Sequence, residues 1–180
     1  MKFDAARSVL LIVDLQERLL PAIEHGNSVI EHAAWLIGVA RQLAVPVLLT
    51  EQYPQGLGAT APAIATLVQP EERVEKIHFS AVAEGNLFSH PAGQRQQWVV
   101  CGTESHVCVQ QTVLDLLTAG REVAVVDEAV GSRRTRDKEL ALQRMSQLGA
   151  QIVSREMVAF EWLHQANTPD FRALLKNFIR

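Results

Sequence analysis

The chain has 180 residues, a formal net charge of −3, 48% hydrophobic and 21% charged residues. That length suits one domain with one sizeable core, spanning 1–180, in the balance of an ordinary globular protein. The acidic balance argues against nucleic acid or an anionic membrane surface as main partner, and two cysteines are too few for a disulfide framework.

The N-terminal residues 1–7 are short and charged. The apolar run 9–13 is too brief for a signal-peptide core or a membrane span, so a cytoplasmic protein is expected. Short β-branched runs then alternate with helical patterns. Strands are expected at 8–14, 45–50, 73–76, 97–102, 122–127 and 150–153, several of them near-continuously apolar, as in strands covered on both faces. Asn27 is a candidate cap for a helix with Val29, Ala33, Leu36, Ala40 and Leu43 on one side. Residues 52–62, with two prolines and two glycines, read as an ordered loop, and 89–93 as a turn. A second helix is expected from Ser105 to Ala119, stopped by Gly120, and a third from Thr135 to Leu148 with Asp137 and Glu139 in its first turn. The tail 156–180 is helical in pattern, is broken at Thr168-Pro169, and carries Met157, Val158, Phe160, Trp162 and Leu163. It either packs on the core or enters a subunit contact. The alternation implies an α/β fold with a mostly parallel, doubly wound sheet.

Ligands of such sheets bind beyond the carboxyl ends of the strands. Asp14, Thr50, Glu51, Lys76, Gly102, Thr103, Asp127 and Glu128 are expected there. With Ser105 as N-cap, Cys108 falls in the first turn of its helix, where the dipole and free N–H groups favour a thiolate. A lysine nearby lowers the thiol pKa further, while an ionised Asp14 opposes this; the lowering is expected to prevail. The alternative for Cys108 is a small buried hydrophobe. Asp14 reads equally as a turn cap, and Lys76 alone as a solvated strand end. Cys101, in mid-strand, reads as core. The informative fact is that three reactive residue types share one sheet edge.

The stretches LLIVDLQ (10–16), EKIHFS (75–80) and VCGTESHVCV (100–109) resemble the three catalytic blocks of the isochorismatase-like cysteine hydrolases, in that family's order and spacing. The resemblance covers nearly the whole chain. It implies a three-layer, Rossmann-like α/β/α fold with a six-stranded parallel sheet in the order 3-2-1-4-5-6, and a triad of Asp14, Lys76 and Cys108. It also implies an oxyanion hole from the backbone N–H groups of Glu104 and Cys108, with a cis peptide at 103–104, and a homo-oligomer. The activity it implies is hydrolysis of a small carbonyl compound, most simply an amide, through a thioester. Enol-ether hydrolysis of the isochorismatase type and a non-catalytic, redox-sensing thiol are the alternatives. Gln16, Leu20, Tyr53, Phe79 and His106 are candidate pocket walls; Glu51 either joins them or forms a structural ion pair. Metal-binding nicotinamidases of the family carry histidines after the second strand, where this chain reads Glu51-Gln52-Tyr53. The six histidines His25, His32, His78, His90, His106 and His164 show no i, i+4 pair, so no metal is expected. No glycine-rich phosphate loop is present and no cofactor is expected. The run 133–138 reads as a solvated helix start rather than an anion site.

Overall fold

A computed structural model describes residues 1–179. Six strands form one sheet: β1 (Ser8–Val13), β2 (Val47–Gln52), β3 (Arg73–Lys76), β4 (Gln97–Thr103), β5 (Glu122–Gly131) and β6 (Gln151–Val153). Every pairing is parallel, and the order is β3-β2-β1-β4-β5-β6. The main helices are α1 (Gly26–Gln42), α2 (Gln110–Thr118), α3 (Thr135–Gln147), α4 (Arg155–Leu163) and α5 (Pro169–Phe178).

The continuous apolar strands follow from burial on both faces. Along β1, Leu10 and Ile12 join one core cluster with α1, α4 and α5, while Val9, Leu11 and Val13 join the other with α2 and α3. This alternation is the period of two expected of a strand, and it produces three layers. Cys101 and Cys108 fall on opposite sides of the sheet, each in its own cluster.

Several expected boundaries move. The first helix starts at Gly26, after His25 in a left-handed conformation, and not behind an Asn27 cap. A Cβ at position 26 would lie 2.9 Å from the Leu20 carbonyl oxygen, so the turn entering α1 needs that glycine. Strand β5 does not end at Asp127; it continues to Gly131 because Ala129 and Val130 are buried, with a register irregularity opposite Val100 and Gly102. Asp127 and Glu128 therefore lie within a strand. The helix expected from Ser105 opens as one π-helical turn, Ser105–Val109, preceded by Glu104, and only then becomes α2. In the tail, Trp162 is buried and its Nε1 donates to Ser8 Oγ at 3.0 Å, which removes it as a candidate subunit contact; Phe160 remains exposed. The run 133–138 is largely paired, Arg136 with Glu139 and Lys138 with Asp127.

Gly102 fixes the approach of the two central strands. Its φ is 132°, and a Cβ there would meet the Val13 carbonyl oxygen at 2.1 Å. Replacing Gly102 with alanine should therefore force β1 and β4 apart and cost about 3 kcal/mol or more, given both strain and lost pairing. Urea unfolding monitored by tryptophan fluorescence measures this; a loss below about 0.5 kcal/mol, the level of an ordinary surface substitution, would contradict it.

Candidate functional site

The sheet order places β1 between β2 and β4, so the carboxyl ends of these strands border one crevice. Asp14 follows β1 and Cys108 lies on the turn after β4. Lys76 ends β3, two strands from β1, a span of about 10 Å at the usual strand spacing. Only a long side chain crosses that gap. Lys76 Nζ donates to Asp14 Oδ2 at 2.7 Å, and both side chains are essentially inaccessible. Its other acceptors are Gln52 Oε1 at 2.6 Å and the Phe79 carbonyl at 3.0 Å, with the His78 carbonyl at 3.4 Å. These near acceptors match the three hydrogens of an ammonium group. Thr50 Oγ1 donates to Asp14 Oδ1 at 2.7 Å, so both carboxylate oxygens are oriented. Thr103 Oγ1 donates to the Asp14 carbonyl at 2.5 Å, tying the end of β4 to the end of β1.

Asp14 and Glu104 turn the chain out of β1 and β4 with φ values of 51° and 58°, left-handed conformations that cost about 1 kcal/mol or more for residues other than glycine. The peptide bond 103–104 is trans, as are all bonds among the described residues, so the expected cis bond is absent; Glu104 leaves β4 in a left-handed conformation. Glu104 is held by Arg133, whose Nε lies 2.8 Å from Glu104 Oε1. Its carbonyl accepts from Val107 N and Val109 N, closing the turn that carries Cys108. The Ser105 hydroxyl in that turn is buried without a protein partner.

Asp14, Lys76 and Cys108 come together as a closed cluster, 0%, 2% and 3% exposed. The thiol and the Asp14 carboxylate are close enough to act on each other's protonation. Burial pushes the Asp14 carboxyl above its usual range, with Lys76, Thr50 and Cys108 pulling it back. Burial also pushes the Cys108 thiol up, to about 12, reinforced by the Asp14 charge and opposed by Lys76. The expectation of a lowered thiol pKa is therefore overturned. Desolvation and the neighbouring carboxylate outweigh the lysine, whose charge is shared with Asp14.

The other candidate residues have different surroundings. Gln16 is buried: its Nε2 donates to the Gln52 and Gly58 carbonyls at 3.0 and 2.7 Å, and its Oε1 accepts from Gln52 N at 2.7 Å. It braces the end of β2. Glu51 accepts from Thr60 N at 2.9 Å and Thr60 Oγ1 at 2.5 Å, a hydrogen-bonded anchor for the following loop rather than an ion pair. Tyr53 and Phe79 are exposed and meet the cluster through backbone, Tyr53 N donating to the Lys76 carbonyl at 2.8 Å. His106 Nδ1 lies 3.0 Å from Ser132 Oγ. Leu20 packs against the core cluster near α1. Gln52 was not expected in the site. The signal was parity along β2: Thr50 and Gln52 share a face, opposite Val13 and Lys76 in the ladder.

A concavity of about 510 Å³ opens elsewhere, between the start of α1 and α3, lined by Glu24, His25, Asp127, Glu128, Arg134 and Lys138 among others; none of the cluster residues lines it. No group of three or more His, Cys, Asp and Glu residues suited to a metal occurs among the described residues.

A profile of the isochorismatase domain matches residues 8–157. The chain belongs to the isochorismatase family. The mouse isochorismatase domain-containing protein 2A is 38% identical over 169 residues, covering 94% of this chain and 81% of its own. A Phytophthora sojae relative called secreted isochorismatase effector Isc1 is 36% identical over 181 residues, covering 94% and 83%. Among solved structures, the MAR1 ribonuclease from Caenorhabditis elegans superposes with a TM-score of 0.90 at 32% identity, over 100% of this chain and 93% of that one. The Escherichia coli YcaC product, described as an octameric hydrolase of unknown specificity, shares the fold with a TM-score of 0.88 at 24% identity, over 99% and 91%. This family member thus has the isochorismatase-like hydrolase fold. No described helix is long and apolar enough to cross a membrane.

A thiol pushed up to about 12 ionises progressively as pH rises toward that value. Alkylation of Cys108 by iodoacetamide should accordingly keep accelerating between about pH 7 and pH 10, because the thiolate is the nucleophile. Cys101, wholly buried in mid-strand, should react far more slowly. Peptide mapping after timed alkylation checks both; a rate plateau below about pH 8 would mean a preformed thiolate and contradict the electrostatic account.

Proposed function

We propose that this isochorismatase-family protein hydrolyses a small carbonyl compound, most simply an amide, with Cys108 as nucleophile. The observation that carries this reading is the buried Lys76–Asp14 ion pair with the buried Cys108 thiol beside it. Burial raises the Asp14 carboxyl and so makes it a better proton acceptor than an exposed aspartate, while Lys76 and Thr50 pull it back. As sulfur attacks the carbonyl carbon, Asp14 accepts the thiol proton and the carbonyl electron pair moves to oxygen. The backbone N–H groups of Glu104 and Cys108 receive that oxyanion, a contribution of about 3 kcal/mol per donor. Collapse of the intermediate breaks the C–N bond, and Asp14 returns the proton to the departing amine. Water then attacks the thioester, loses a proton to Asp14, and releases the acid and the free thiol. Lys76, its hydrogens already engaged, holds the Asp14 charge and geometry and is not the proton donor. Leu20, Tyr53, Phe79 and His106 are the proposed walls of the substrate space, with Gln16 and Glu51 bracing them. The absence of a thiol role in enol-ether hydrolysis leaves Cys108 without a purpose in that alternative. An RNA substrate, suggested by what the nematode neighbour is called, has little support from a net charge of −3. Self-association as a homo-oligomer is proposed from what YcaC is described to be, and a reducing, cytoplasmic setting from the two free thiols.

Screening small amides and ureido acids, with an enol ether and a short RNA as comparison substrates, tests the reading. The expected result is amide hydrolysis, an acyl adduct on Cys108 by mass spectrometry, and no turnover by Cys108→Ala. Asp14→Asn should lower kcat by about 10²–10⁴, the usual contribution of a general base. Full activity of Cys108→Ala on the best substrate contradicts the nucleophile assignment.

A further inference from the structure

Directly after Lys76, and before the short helix Asn86–Ser89 that leads on toward β4, the chain makes a short excursion, residues 77–84. It is fixed at two places to the machinery on either side. The Phe79 carbonyl accepts from Lys76 Nζ at 3.0 Å, and Ala81 N donates to Thr112 Oγ1 at 2.9 Å, four residues beyond Cys108. The inner residues Ser80 and Ala81 are buried, Ala81 in the same apolar cluster as Cys108. The outer limb is different: Ile77 and Phe79 are 65% and 53% exposed. Apolar side chains at such exposure gain little from packing, so polar contacts must keep the limb in place.

Those contacts converge on one carboxylate. Glu84 Oε1 accepts from Ile77 N at 2.5 Å and His78 N at 2.9 Å, and lies 3.0 Å from His78 Nδ1. Among the described residues, the one other tie on the limb besides the Lys76 contacts is Gln52 Nε2 to the Ile77 carbonyl at 2.6 Å. Two successive backbone N–H groups aimed at one anion form a compact nest. These donors hold the Glu84 carboxyl down to about 2, so it is charged at neutral pH. The mechanism above makes no use of Glu84, yet its contacts set the two carbonyls, of His78 and Phe79, that face the Lys76 ammonium. Meanwhile Cys108 is 3% exposed, and a substrate needs a way in.

We infer that Glu84 is a positioning residue that latches residues 77–79 over the Asp14–Lys76–Cys108 cluster, and that small molecules reach Cys108 when this latch releases. The link to turnover rests on the hydrolase reading, whereas access to the thiol does not.

Alkylation of Cys108 in the intact protein tests the latch. Rates for compact iodoacetamide and for bulkier N-ethylmaleimide are compared in the unaltered protein, Glu84→Gln and Glu84→Ala, by mass spectrometry. The expected result is about a tenfold acceleration with the maleimide, matching the loss of a charge-assisted hydrogen bond, and a smaller one with iodoacetamide. Cys101 should stay unmodified in all three. Equal acceleration with both reagents would mean altered thiol chemistry rather than access, and no acceleration would mean no latch; either overturns the inference. In the unaltered protein, the Ile77 and His78 amides should exchange hydrogen through a local opening, well below the global unfolding energy. Exchange of these amides only by global unfolding also overturns it. Loss of hydrolysis in Cys108→Ala alongside unchanged access in the Glu84 variants would sink the latch and leave the hydrolase reading standing.

Discussion

A lysine ammonium removed from water must be met by oxygen on every side, or it loses its proton. Lys76 meets that condition with one carboxylate, one carboxamide and a backbone carbonyl, contributed by three different segments of chain. The rest of the site follows from this requirement. The lysine must span two strands to reach Asp14, so β2 between them must present short or amide-bearing side chains on the facing side, which Thr50 and Gln52 supply. Gln52 in turn is fixed by Gln16, whose three hydrogen bonds reach the backbone at Gln52 and Gly58. The close approach of β1 and β4 at Gly102 brings the Asp14 turn against the Cys108 turn, where Thr103 locks them together.

The electrostatic consequence is a thiol kept neutral beside a carboxylate raised by burial. Both shifts come first from burial: desolvation holds the thiol proton more firmly and also makes the Asp14 carboxylate a stronger proton acceptor than an exposed aspartate. A reactive thiolate at rest would be open to oxidation and to any passing electrophile. A thiol that is deprotonated as the carbonyl is attacked is active only when a substrate is in place. The Lys76 charge, shared with Asp14, then serves the carboxylate first and the sulfur second.

Much of this was legible in the sequence. Apolar runs of strand length marked β1, β2, β4 and the first part of β5, because burial on both faces leaves a simple mark, whereas the edge strands β3 and β6 are short and only partly buried and were placed by the alternation with helices. Asp14, Lys76 and Cys108 stood out because they end strands or start a helix at one edge. What the sequence hid has a common cause: it depends on partners remote along the chain. Glu84 looks like an ordinary surface acid until the chain folds back and two amides face it. The extension of β5 past Asp127 reflects pairing of Val130 and Gly131 with the end of β4, which overrides two acidic residues. The thiol pKa is not legible from local features, a helix start and a lysine, because depth of burial and the Asp14 charge outweigh them. For Trp162 the sequence leaves core packing and subunit contact open, and its indole N–H, bonded to Ser8 154 residues away, decides for the core.

The central claim is that the Asp14–Lys76 pair acts as one buried unit on which the site is built. A double-mutant cycle measures this directly, with urea unfolding of Asp14→Leu, Lys76→Met and the double variant near neutral pH. Each single change strands one buried charge and should destabilise by about 3–5 kcal/mol. The double variant, with no charge left to strand, should recover at least about 2 kcal/mol of the summed losses. Losses that add to within about 0.5 kcal/mol would show that the two residues contribute independently, and would contradict the account.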